Sequence, residues 1–322
     1  MSLVWRDDIP SSEWDTEIAR LGGHPLQTAL WGDARRRVDG INDHRWAVFS
    51  GSAAILMARI EERPIGPWGR VAWLPRGPVV NASQNGQDQF PSLLERLKAA
   101  GYLLCIDDQY STDTTPPSGT ALLPKPRTVW VDLAVGRDAV LAAMDSKARY
   151  SARAAARQGV EIEESRRTED ADAFFALCNR ISEKKGFDLP GSAELLRSLL
   201  DAGGSPDAEA RLFVARYHGH LAGGAAVLRC GRSLHYFWGG VDRAFSKQRT
   251  GEAVQVAILN WAIDQGVERY DLEGIDAVGN PGTYHFKMKM GGREVDLRGR
   301  RAHPLGVLGH VALEIGRRLG RI

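Results

Sequence analysis

The order of patterned segments after Gly159 most constrains how this chain folds. Val160 to Glu163 reads as a strand, Ala171 to Lys185 and Ala193 to Ala202 as helices, and Arg211 to Arg216, Gly223 to Arg229 and Ser233 to Gly239 as strands. His218-Gly219 and Gly231-Arg232 supply the turns between those strands. Glu252 to Gln265 then carries Val254, Ala257, Ile258, Trp261 and Ala262 on one stripe, the pattern of a helix lying on a sheet, and Val267 to Leu272 reads as a short buried strand. The order strand, two helices, strands, helix, strand predicts an α/β (α+β) unit.

A looser version of that order precedes it. A helix is predicted at Ser12 to Leu21, capped by Ser11 or Ser12, and strands at Arg45 to Ser50, Ala53 to Ile60 and Val71 to Leu74. Phe90 to Ala100 follows as a helix, and Tyr102 to Ile106 as a strand that delivers Asp107 and Asp108 at its C-terminal end, where carboxylates are well placed for a site. Ser111 to Pro126, rich in Ser, Thr and Pro, reads as a loop near a domain switch, with Thr128 to Leu133 a strand beyond it. Asp145 or Ser146 caps a helix running to Arg157. With 322 residues the chain accommodates two domains of about 150 residues. The expected division is 1–145 and 146–299, with 300–322 packing back on the first domain.

Net charge excludes a polyanion-binding role carried by the whole molecule, because 42 cationic side chains are offset by 40 anionic ones and only local patches remain. One such patch is predicted: Arg149, Arg153 and Arg157 recur every four residues on a helix without acidic residues, which suits an RNA phosphate track as well as it suits a solvated face. Cys105, Cys178 and Cys230 are far apart with no metal-ligand spacing, so free thiols and no metal are expected. An acidic pair stands where a signal peptide has its apolar core, and no apolar stretch reaches a membrane span, so a cytoplasmic protein without integral membrane association is expected.

One lysine stands out near the end of the second half. In Gly266 to Gly299, Asn280-Pro281-Gly282 supplies a turn, and Tyr284 to Met290 alternates so that a strand would place His285, Lys287 and Lys289 on one face and Phe286, Met288 and Met290 on the other. Trp31 and Arg35, four apart, share a helix face. His235 and His285 lack a serine or cysteine nucleophile context and are read as polar surface or packing residues.

Several short motifs in a fixed order resemble the FemABX family of aminoacyl-tRNA-dependent aminoacyltransferases. They are Leu26-Gln27-Thr28 with Trp31, Pro75-Arg76-Gly77-Pro78, Ile106-Asp107-Asp108, Ser146 to Val160, Leu234 to Gly240, Trp261 to Gly274, and Phe286-Lys287 through Gly292. The resemblance implies two GNAT-like domains, each a mixed central sheet flanked by helices, with the acceptor held between them. It also implies that Lys287 stabilises the oxyanion formed when a peptide amine attacks the aminoacyl ester, that Phe286 shapes the passage for the ester, and that Asp108 or Asp107 lies near the acceptor amine. Arg35 would hold acceptor phosphate beside Trp31, Tyr236 and Tyr284 would contact the acceptor, and Arg149, Arg153 and Arg157 would follow the tRNA. Implied partners are aminoacyl-tRNA as co-substrate and a peptide-bearing small acceptor, either a peptidoglycan precursor or a secondary-metabolite intermediate. No DNA and no further cofactor are implied, and a monomer is expected.

The chain departs from the family pattern at three places. Glu273 precedes Gly274 where two glycines are common; Gly186-Phe187 leads to Asp188-Leu189-Pro190-Gly191-Ser192 without the usual arginine and tyrosine; and the interval between Arg180 and Arg211 is too short for a coiled-coil arm. Two alternatives stand beside the family reading. Gln248-Arg249-Thr250-Gly251-Glu252-Ala253 resembles the loop with which GNAT enzymes hold the CoA pyrophosphate, which would make the chain an acyl-CoA N-acyltransferase. The Glu273 departure would also fit a tRNA- or peptide-binding module without turnover.

Overall fold

Near-continuous apolar runs and turn glycines build the first sheet. The computed structural model describes residues 3–65, 69–113, 119–122 and 126–319, so parts of the predicted Ser111–Pro126 loop and the last three residues lie outside the described residues. In chain order come β1 (Leu3–Arg6), α1 (Ser11–Arg20), α2 (Ala29–Asp39), β2 (Asp43–Ser50), β3 (Ala53–Pro64), β4 (Arg70–Leu74), β5 (Val79–Val80), α3 (Phe90–Ala99), β6 (Tyr102–Asp107) and β7 (Thr120–Ala121). The helix α1 starts without either serine as its cap: Pro10 occupies the N-cap, and Ser11 Oγ instead donates to Asp33 at 3.1 Å. β3 is buried from Ala54 through Glu61, which marks it as a central strand, and Leu56, Ile60, Leu74, Leu93 and Leu97 share one core beneath α3. Gln27 is fully buried because it staples this unit: its Nε2 donates to the carbonyls of Arg59 (3.2 Å) and Pro75 (2.7 Å), and its Oε1 accepts from Arg59 N (2.8 Å).

The second unit begins at β8 (Arg127–Asp132) and continues through α4 (Arg137–Ala143), α5 (Ser146–Arg157), β9 (Val160–Ser165), α6 (Thr168–Lys185), α7 (Ala193–Asp201), β10 (Ala208–Tyr217), β11 (His220–Cys230), β12 (Ser233–Val241), α8 (Thr250–Asp264), β13 (Arg269–Asp271), α9 (Pro281–Met288) and β14 (Arg293–Asp296). Its sheet runs β14-β8-β13-β12-β11-β10-β9 and is mixed, since β12 and β13 are parallel while β8 and β13 are antiparallel. Asp145 caps α5 by accepting from Lys147 N (2.9 Å) and Ala148 N (3.1 Å), the cap its sequence predicts. The apolar stripe of α8 packs on the sheet through Val254, Ile258 and Ala262, and Tyr270 of β13 donates its hydroxyl to Gln255 Oε1 at 3.0 Å. Among the described residues the longest helix is α6, of 18 residues, so the α6–α7 pair carries no extended arm.

The chain then returns to the first unit as β15 (Arg301–Pro304) and α10 (Val307–Arg318). The first sheet therefore runs β1-β2-β3-β4-β6-β15-β7, with β5 beside β3, and β4 and β6 form its parallel pair. Compactness divides the chain into Met1–Pro126 with Asp296–Ile322, and Arg127–Val295. The division falls earlier than residue 145, because β8 pairs with β13 and so belongs to the second sheet together with α4. Only Gly309 and Leu313 of α10 are buried, while Val307, Leu308, Val311 and Ile315 face outward. All three cysteines are buried free thiols.

Candidate active site

The site in the second unit arises where two parallel strands part company. β12 pairs with β13 over Ser233, Leu234 and His235 alone, then runs on to Val241, while β13 ends at Asp271. Asp271 sits at the parting point, fully buried, and its carboxylate accepts from Thr128 Oγ1, from Trp130 Nε1 (2.8 Å) and from Glu273 N (2.7 Å). Three donors make up for the water this carboxylate lost. They also fix the chain direction as it leaves the sheet.

Glu273 makes that exit with φ +60°, a left-handed conformation that glycine adopts freely and glutamate only with strain. The first position of the two-glycine pattern from which the sequence departs thus carries a real backbone demand. Here one side-chain bond works against the strain: Glu273 Oε1 lies 2.7 Å from Nδ1 of His235, a fully buried ring on β12. His235 is accordingly a packing residue, and not one at the surface.

Lys287 approaches from α9, which corrects the expectation of a strand at Tyr284 to Met290. Asn280 accepts from Thr283 N at 3.3 Å and Pro281 fills the first helical position, so a capped helix starts where alternation had suggested a strand. Helical spacing separates the faces differently: Lys287 and Met290 turn inward, and His285 and Lys289 outward. Lys287 is 6% exposed, and its ammonium donates to the carbonyls of Gly274 (2.7 Å) and Glu273 (3.2 Å), 5.8 Å from the centre of the Tyr236 ring. Burial pushes its pKa down to about 8, and the nearby charges of Glu273 and Asp271 oppose that fall. Tyr236 folds back so closely that a Cβ on Gly239 would stand 1.7 Å from its hydroxyl, so glycine is required there. Burial raises the Tyr236 phenol well above its usual range.

Phe286, half-buried, lies across the first turn of α8, where a Cβ on Gly251 would come within 3.4 Å of its ring. Tyr284 serves to anchor the helix: its hydroxyl donates to Glu294 Oε1 at 2.6 Å, which raises its pKa, and Glu294 in turn pairs with Arg127 at 2.8 Å, so the tyrosine fastens α9 to the sheet. The segment after Gly186-Phe187 lies against β12, where Trp238 Nε1 donates to Pro190 O at 2.7 Å and Gly191 abuts the indole. Of the arginine stripe, Arg149 is spent on the carbonyls of Leu141, Ala142 and Met144 at the end of α4, whereas Arg153 and Arg157 are exposed.

The remaining sequence candidates belong to the first unit. Asp107 is 1% exposed and holds His303 Nε2 at 2.6 Å, an arrangement that ties β6 to β15 and leaves the carboxylate remote from solvent. Asp108 is the accessible one of the pair and stands 3.9 Å from Arg76 and 4.0 Å from Arg300. Arg76 and Arg300, whose guanidinium lies over the Trp73 ring at 4.3 Å, form with Asp108 a charged cluster that sequence reading missed. Only the position of Arg76 in the Pro75–Pro78 motif hinted at it. Trp31 is buried on α2, and Arg35, one turn on, pairs with Asp39 at 2.5 Å.

Residues 143–288 match the family described as acetyltransferase (GNAT) domain. Over 132 residues, 41% of this chain and 38% of the relative, the sequence is 27% identical to the UDP-N-acetylmuramoylpentapeptide-lysine N(6)-alanyltransferase of Weissella viridescens. The match therefore spans about two fifths of that relative's length. The crystal structure of FemX superposes with a TM-score of 0.81 at 16% identity, over 98% of this chain and all of that one. The chain is FemX-like in fold. A tandem GNAT protein from the clavulanic acid biosynthesis pathway is more distant, with a TM-score of 0.56 at 13% identity over 95% of this chain and 99% of that one. The chain thus has the two mixed sheets of a tandem GNAT fold, with Lys287 near the end of the GNAT-matching segment.

Proposed function

We propose that the chain is an aminoacyl-tRNA-dependent aminoacyltransferase, forming an amide between an amino acid and an amine of a peptide-bearing cell-wall precursor. The observation that carries this reading is the Lys287 ammonium, desolvated and aimed by two carbonyls at the gap where β12 and β13 separate. An aminoacyl ester is already activated, so the protein's work is alignment and stabilisation of the charge that develops on the carbonyl oxygen. Two of the three ammonium donors are engaged by Glu273 and Gly274, and the third serves that oxygen. The amine attacks the carbonyl carbon, the ester bond to the ribose breaks, and the ribose oxygen takes up a proton as the amide nitrogen loses one. Tyr236 and Phe286 flank the lysine and exclude water from the ester. In the first unit, Asp108 with Arg76 and Arg300 forms a mixed-charge cluster, while Asp107, held by His303, keeps a positioning role.

The alanyltransferase similarity supports a peptide-amine acceptor of the kind named in that relative, in preference to a secondary-metabolite intermediate. Glu273 weighs less for a silent binding module than its sequence suggests, because its carbonyl still receives Lys287. The acyl-CoA reading keeps one observation in its favour, the GNAT family match across the α8 start. Offering the purified protein a pool of radiolabelled aminoacyl-tRNAs or labelled acetyl-CoA, with a UDP-linked muramoyl pentapeptide as acceptor, decides between donors. Acid-stable labelled peptide from charged tRNA, abolished by RNase, is the expected result; label drawn only from acetyl-CoA would replace this reading with the acyl-CoA one.

A further inference from the structure

Outside the lysine site, the second unit presents one exposed aromatic ring set between cations. Tyr150 on α5 is 54% exposed, and its ring centre lies 5.7 Å from the guanidinium carbon of Arg157 and 5.2 Å from that of Arg249. Arg249 is exposed and links the 3-10 turn Arg243–Gln248 to α8 with φ +57°, so a bulky residue holds a left-handed conformation at the N-cap of α8, where its side chain makes no capping bond. An anion bound beside it would meet both the guanidinium and the first turn of α8. The α5 face adds exposed Arg153 and Lys147, and the helix has no acidic residue to neutralise them.

The position relates to the chemistry. Two residues after Arg249 comes Gly251, against which the Phe286 ring packs, and Lys287 follows Phe286. The Arg249 turn is thus joined to the lysine's helix through the contact of Gly251 with Phe286.

We propose that Tyr150, with Arg157 and Arg249, is a stacking platform for an unpaired base near the 3′ end of the donor RNA, and that Arg249 and Arg153 neutralise the adjoining phosphates. An aromatic face accepts any base, and guanidinium groups beside it add charge to stacking. The inference rests on the aminoacyl-tRNA reading of the site. It adds two residues, Tyr150 and Arg249, that the arginine stripe of α5 did not include.

Binding of two uncharged RNA hairpins, one with a four-nucleotide unpaired 3′ end and one blunt, measured by fluorescence anisotropy over a salt series, tests it. The overhang hairpin is expected to bind the wild type more tightly. Tyr150→Ala should weaken overhang binding about tenfold or more, from the usual worth of one stacked base, and leave blunt binding little changed. Tyr150→Phe, which keeps the ring, should stay near wild type. Arg249→Gly should weaken binding and lower the salt slope by about one, while the thermal midpoint holds or rises because glycine accepts the left-handed backbone. Equal binding of the overhang by wild type, Tyr150→Ala and Arg249→Gly overturns the platform, as does displacement of the hairpin by CoA with CoA affinity lost in the same variants. The transfer assay separates the two failures: a platform lost while charged tRNA still donates label leaves the aminoacyl reading in place.

Discussion

Lys287 makes the pH dependence of the site predictable in sign. Its folded pKa of about 8 lies below its ordinary 10.5 because burial disfavours the ammonium, so the unfolded chain binds the extra proton between those values and stability rises as pH climbs from about 8 toward 10.5. Activity should do the opposite. In the proposed mechanism the cation stabilises the oxyanion, so single-turnover transfer is expected to fall as pH rises through about 8; a rate that rises through the same pH would make the lysine a base. Glu273 deepens the test, since its charge supports the ammonium. Glu273→Gly, tolerated by the left-handed backbone, should move the falling limb below that of the wild type while keeping the backbone carbonyl that Lys287 uses. Gly239→Ala should cost far more than an ordinary surface substitution, because the new methyl would occupy the Tyr236 hydroxyl position, and loss of both thermal stability and transfer is expected.

At the scale of elements, the lesson is how α9 escaped a reading by alternation. Seven residues from Tyr284 to Met290 alternate well enough to imitate a strand, yet Asn280 and Pro281 spell a helix start, and the cap outweighs a short pattern. Most other elements were legible within a few residues, α5 with its Asp145 cap and α8 with its apolar stripe among them, because their periodicity is long. The site was legible only in part. Lys287 and Phe286 carry a recognisable motif, but the bond between His235 and Glu273 and the use of Tyr284 to hold Glu294 depend on residues 38 and 10 positions apart, which no local pattern records. Removing the cap by Asn280→Ala should destabilise the second unit by ~1 kcal/mol in urea unfolding and slow transfer more than that loss alone accounts for, since α9 aims the lysine. Unchanged unfolding and unchanged transfer would mean that the helix start holds itself without Asn280.

For the whole molecule, the C-terminal return matters most. β15 lies between β6 and β7, and its His303 meets Asp107, so the first sheet is completed only after the second unit has been made. A chain ended at Asp296 is expected to lose amide protection in β6 and β4 while β10, β11 and β12 stay protected in hydrogen exchange, because the second sheet draws all its strands from 127–296. Equal loss in both sheets would contradict the division into two units. The buried ammonium on α9 is what the proposed chemistry depends on, and single-turnover transfer from saturating aminoacyl-tRNA by wild type and Lys287→Met tests it most directly. A fall of about 10²–10³ in the rate with RNA affinity retained, the scale of losing one oxyanion donor, is the predicted result. A Lys287→Met rate within about threefold of wild type, far short of such a donor's contribution, would contradict it.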